Sequence, residues 1–116
     1  KAMKKYMIIG ALLFSSLIFA NHPPKHEVAG DLVKSTYYHD NGTISQEGFY
    51  KNGKVHGEWV SYDPSGNRTA VASYDEGKKT GNWVFWGKDK LSEVEYTESR
   101  VASVKTWKQE AIVNKD

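Results

Sequence analysis

The sequence predicts an all-β chain, an antiparallel meander of about seven short strands built from hairpin repeats of about twenty-four residues. Three observations carry that prediction. Aromatic residues recur every twelve positions, at Tyr38, Tyr50, Tyr62, Tyr74 and Trp86. The segment from Tyr50 to Val60 aligns with that from Tyr74 to Val84, with Tyr, Gly, Lys, Gly, Trp and Val at identical offsets. Between the aromatic runs lie Asp-Asn-Gly, Lys-Asn-Gly-Lys, Asp-Pro-Ser-Gly and Asp-Glu-Gly-Lys, in which Asn and Gly accept positive φ, Pro fixes φ and Asp bonds the turn backbone. A twelve-residue step holds one strand of seven or eight residues and a turn, so two steps make a hairpin.

The strands follow in order: Val33–His39, Thr43–Tyr50, Val55–Tyr62, Asn67–Tyr74, Lys79–Trp86, Leu91–Thr97 and Val101–Trp107. Each is a short run rich in Val, Thr, Tyr, Trp and Phe, the residues that suit a pleated surface. Even positions carry Tyr38, Tyr50, Tyr62, Tyr74, Trp86 and Tyr96, and odd ones carry Tyr37, Phe49, Trp59, Trp83, Phe85 and Trp107. Parity does not translate into faces from sequence alone, because a two-residue turn swaps parity between paired strands and a three-residue turn with a bulge keeps it.

Four segments divide the chain. Residues 1–20 read as a signal peptide: Lys4 and Lys5 precede an apolar run from Met7 to Phe19, closed by Ala20. The run is shorter than the roughly twenty apolar residues of a membrane-spanning helix, and an uncleaved anchor is the alternative. Residues 21–31, with Pro23, Pro24 and Gly30, read as an extended linker. Residues 32–108 are the β-repeat domain, and 109–116 a flexible tail. The leader predicts an exported protein, periplasmic, outer-membrane-associated or extracellular.

Composition narrows the function. The chain of 116 residues has no cysteine, which excludes disulfides, thiolate metal sites and a cysteine nucleophile. Its 16 basic residues lose Lys1, Lys4 and Lys5 with the leader, leaving 13 against 14 acidic ones and a net charge of −1. No Lys/Arg cluster remains to neutralise a phosphate backbone, so nucleic acid is not an expected partner.

The stretch from Tyr50 through Asn52, Gly53, Lys54 and Gly57 to Trp59, repeated at Tyr74, Gly77, Lys78, Gly81 and Trp83, resembles the MORN repeat. It is most similar to the bacterial variant labelled the YwqK-type antitoxin repeat, because Trp59 and Trp83 stand where the ordinary repeat has glycine; Glu76 departs where asparagine is usual. The resemblance covers roughly Tyr38 to Trp86. It implies an interaction surface, sometimes at membranes, and makes Gly53, Gly57, Trp59, Gly77, Gly81 and Trp83 repeat-structural positions. Gly57 and Gly81 fall inside strands, where they serve either to let a neighbouring aromatic ring lie flat over the backbone or to form a bulge.

Chemistry finds little purchase. His22 and His26 are separated by two prolines, and His39 and His56 have no second histidine at ligand spacing. Glu47 and Glu58 would flank a hairpin at glycosidase-like separation only in one register, and Ser61 and Ser73 lack a nucleophile context. The reading is therefore a non-enzyme without cofactor or metal, with Tyr50, Tyr62, Tyr74 and Trp86 as candidate partner-binding residues. A protein partner is expected, with a membrane surface or a glycan as alternatives.

Overall fold

The computed structural model describes residues 22–108; the readings of a signal peptide and of a tail over 109–116 lie outside them. Among the described residues nine strands form in chain order: β1 (Lys25–Ala29), β2 (Leu32–Tyr38), β3 (Ile44–Lys51), β4 (Lys54–Tyr62), β5 (Arg68–Asp75), β6 (Lys78–Lys79), β7 (Gly81–Trp86), β8 (Lys90–Thr97) and β9 (Arg100–Lys108). All pair antiparallel in a single sheet, in the order β1-β2-β3-β4-β5-β7-β8-β9, with β6 also on β5. Sequential neighbours throughout make this the expected meander. The seven expected segments all form strands with outer ends within one residue of those read from sequence.

Two features differ from that reading. Lys25–Ala29, within the segment read as an extended linker, is strand β1 and pairs with β2 from Lys25–Thr36 to Ala29–Leu32. All five of its residues are exposed, so its sequence carries no alternation of apolar and polar residues to announce it. The second difference is the break between β6 and β7, which is a bulge. In the β3–β4 pair Glu47 meets Val60 and Phe49 meets His56, so Gly48 alone lies opposite Gly57, Glu58 and Trp59. Twenty-four residues on, Val71 meets Val84 and Thr80 N–H donates to the Ser73 carbonyl at 3.0 Å, so Ala72 lies opposite Gly81, Asn82 and Trp83. Together, β6 and β7 repeat β4.

The bulge settles the role of its glycines. Gly57 and Gly81 adopt φ of 75° and 68°, the left-handed region that L side chains avoid. The ring-cradle alternative is not their role: a Cβ on Gly57 would meet only Phe49 Cδ1 at 4.0 Å, and one on Gly81 the Ser73 side chain at 3.5 Å. Gly48 is the glycine under a ring, since a Cβ there would fall inside the Trp59 indole.

The extra residues of each bulge turn a tryptophan back over the sheet. Trp59 Nε1 donates to the Phe49 carbonyl at 2.9 Å and Trp83 Nε1 to that of Ser73 at 3.0 Å, identical bonds one repeat apart. Both indoles are 1% exposed. Around them pack Tyr50, edge-on to Trp59 at 5.1 Å, and Tyr74, edge-on to Trp83 at 5.1 Å. Tyr37 stacks on Trp59 and Tyr96 leans on Trp83. Removing roughly 150–250 Å² of each indole from water, at about 25 cal/mol/Å², is worth about 4–6 kcal/mol before entropy is charged. These rings are how a single-layer sheet obtains a core.

Candidate binding face

Strand alternation divides the aromatic residues between two faces. On the core face lie Tyr37, Tyr50, Trp59, Tyr74, Trp83, Phe85 and Tyr96. Each twelve-residue step crosses one turn into the next strand, and the strands swap parity: Lys51 pairs with Lys54 around Asn52-Gly53, and Asp75 with Lys78 around Glu76-Gly77. The aromatic series consequently alternates. Tyr50 and Tyr74 sit in or against the core, Tyr74 being 2% exposed, whereas Tyr38, Tyr62 and Trp86 sit on the outer face, half-buried. Of the four candidate residues, the structure brings Tyr62 and Trp86 to one surface and Tyr50 and Tyr74 to the other.

The outer face is organised in two lanes that run across the strands. The first begins at Tyr38, whose neighbour Tyr37 faces the core, and whose cross-strand partner is Ile44. On β4 the lane holds Tyr62, opposite Arg68, and the Arg68 guanidinium lies 5.5 Å from the Trp86 ring centroid. Trp86 pairs with Leu91, and Leu91 with Trp107. Aromatic rings thus stand on β2, β4, β7 and β9, every second strand of the path. The second lane lies one pleat nearer the strand centres, where register pairs connect Glu47 to Val60, Val60 to Val71, Val71 to Val84 and Val84 to Glu93. A stripe of three valines with a glutamate at each end accompanies the aromatic lane.

Local bonds hold the Tyr62 end of this surface. Its hydroxyl donates to Glu47 Oε2 at 3.1 Å, and its carbonyl oxygen is 2.9 Å from His39 Nε2. Burial, and then the bond to Glu47, raise the phenol's pKa, so Tyr62 stays neutral. The turn beyond it is fixed by Asp63, whose carboxylate accepts from the backbone N–H groups of Ser65 and Asn67 at 3.0 and 2.9 Å; the bond from Asn67 leads the causes that hold its pKa low. Asn41 Nδ2 and Thr43 Oγ1 from the preceding turn each donate to the Pro64 carbonyl at 3.1 Å. The outer aromatic row therefore stands on a cross-linked end of the sheet.

The histidines and carboxylates are occupied in other ways. His26 Nδ1 bonds the Ser35 hydroxyl at 2.7 Å, and His56 Nδ1 accepts from Glu76 N–H at 3.0 Å. Among the described residues no three His, Asp or Glu side chains group to hold a metal. Glu47 and Glu58 do not face each other, since Glu47 pairs with Val60 and Glu58 with Ser73. At the far edge, β9 is exposed along its whole length and shows Val101, Val104 and Trp107, the last 42% exposed.

Sequence reasoning missed Trp107 and Tyr38 as members of the row. Tyr38 is twenty-four residues before Tyr62, a signal present in the repeat, whereas Trp107 lies twenty-one after Trp86 and is placed only by the register of β8 and β9.

Residues 33–52 and 55–78 each match the family model described as MORN repeat variant. The matches correspond to the β2–β3 and β4–β5 hairpins. No curated protein and no solved structure matches the chain.

Proposed function

We propose that this chain is an exported, non-enzymatic β-repeat module that binds another protein at a bacterial cell envelope through its outer face. The observation that carries the reading is the separation of faces. Trp59, Trp83 and Tyr74 form the core, so the rings of Tyr38, Tyr62, Trp86 and Trp107 remain on a different surface. Partly exposed Tyr and Trp on a rigid frame offer large contact area at small entropic cost. The two repeat matches support a repeat module, and the leader-like sequence of residues 1–20 supports export. The finer likeness to the YwqK-type antitoxin repeat rests on Trp59 and Trp83; an exported chain would meet an extracytoplasmic partner rather than a cytoplasmic toxin. Mixed charge on the outer face, with Arg68 and Lys105 among Glu47, Glu58 and Glu93, favours a protein over an anionic membrane surface.

Affinity isolation from the native envelope tests this. The parent chain should retain a protein that Tyr62→Ala fails to retain, with the melting temperatures of the two chains close. Retention unchanged by Tyr62→Ala, or retention of lipid alone, would overturn the reading.

A further inference from the structure

Resting on that reading, the outer face also identifies the shape of the segment it takes. Neighbouring strands are about 4.8 Å apart, so rings on every second strand recur at about 9.6 Å. The row from Tyr38 on β2 to Trp107 on β9 spans three such ring-to-ring steps, about 29 Å. A polyproline II helix turns once per three residues at about 3.1 Å each, or about 9.3 Å per turn. The two repeats are commensurate, and the row accommodates about nine residues. We propose that the outer face binds a proline-rich segment in the polyproline II conformation, laid across the strands with one face of each turn against Tyr38, Tyr62, Trp86 and Trp107.

The chemistry of the lane agrees with its spacing. A polyproline II segment has no internal hydrogen bonds and presents bare carbonyl oxygens, for which the indole N–H groups of Trp86 and Trp107 are donors. Its pyrrolidine rings are apolar and compact, suited to aromatic faces. Beside the row, Val60, Val71 and Val84 supply an apolar flank that a sugar's hydroxyl groups would find without partners. Glu47, adjacent to Tyr62 and bonded to it, places a carboxylate at the β3 end of that flank, so a basic residue in the ligand is favoured there. Arg68 lies over the Trp86 ring and holds it by a cation–π contact.

The test is an NMR titration of the full mature chain with a Lys-containing nonaproline peptide, using cellohexaose and a flexible Gly/Ser peptide of the same charge as comparison probes. The proline peptide should move the indole signals of Trp86 and Trp107 while leaving those of Trp59 and Trp83 in place. Trp86→Ala should weaken binding at least tenfold with the Trp59 and Trp83 signals unchanged, which shows that the variant is folded. Replacing Glu47 by Gln should erase any preference for the Lys-containing peptide over a Glu-containing one. Movement with cellohexaose but not with the proline peptide would overturn the proposal in favour of a glycan, and equal response to the Gly/Ser peptide would overturn it in favour of charge alone. If no proline peptide binds while the envelope partner is still lost with Tyr62→Ala, the polyproline inference fails and the protein-binding reading survives.

Discussion

Trp59 lies over Gly48 so closely that the glycine has no room for a single methyl group. The contact follows from the bulge opposite Gly48, which inserts Gly57 and Glu58 and folds the indole back until its N–H reaches the Phe49 carbonyl. A sheet with one layer has no second layer to pack on, and here the sheet supplies its own cover.

Gly48→Ala should accordingly be among the more damaging single changes in the chain. Overpacking costs about 1–3 kcal/mol, and Trp59 has little freedom to retreat while its ring packs between Tyr37 and Tyr50. Urea unfolding with a midpoint equal to that of the parent would contradict this packing.

The bulge glycines act through backbone conformation, and a ranking of substitutions separates that from steric crowding. At Gly57 and Gly81, alanine should cost about 1–2 kcal/mol for the left-handed conformation. Asparagine, larger but more tolerant of positive φ, should cost less. Thermal unfolding in which asparagine is worse than alanine at both sites would mean that packing, not backbone conformation, requires these glycines.

Tyr74 is buried with no hydrogen-bond partner for its hydroxyl among the described residues, and burial raises its pKa, as it does that of Tyr50. A phenol kept neutral by the fold ionises first in the unfolded chain. Stability should therefore be intact below the unfolded pKa of about 10 and fall as pH rises above it. Tyr74→Phe should be neutral or stabilising at pH 7 and should flatten the alkaline decline. A decline of unchanged steepness in Tyr74→Phe would contradict this.

The two faces should also separate in mutagenesis. Tyr74→Ala removes a core ring and should cost about 3–5 kcal/mol, in the range of other aromatic-to-alanine core changes. Tyr62→Ala, on the outer face, gives up one hydrogen bond to Glu47 and should cost about 1 kcal/mol. Comparable losses on calorimetry would mean that the outer row is also core.

The strands were legible in the sequence because turn chemistry is local: Asn52-Gly53, Pro64 and Gly77 punctuate the chain wherever the backbone reverses. The twenty-four-residue unit was equally plain in Trp59 and Trp83. The faces were not legible, because they depend on pairing. At four sites the register shifts, at Tyr37/Tyr38, Glu47/Phe49, Ser61/Tyr62 and Glu95/Tyr96, and a skipped partner can move the side chains beyond it to the other face. The same limit hid Gly48, whose need for a bare Cα comes from a ring eleven residues later. β1 left no pattern, since an edge strand exposed on both sides has nothing to alternate.

Hydrogen exchange at the four indole N–H groups reads out directly how the aromatic residues divide between a buried face and an outer face. Trp59 and Trp83, 1% exposed and bonded to the carbonyls of Phe49 and Ser73, should exchange only with opening of the sheet, over minutes or longer. Trp86 and Trp107 should lose their signals within the dead time of the exchange measurement. Protection of Trp86 equal to that of Trp59, or rapid exchange at Trp59 in the folded chain, would mean that the two faces are not distinct.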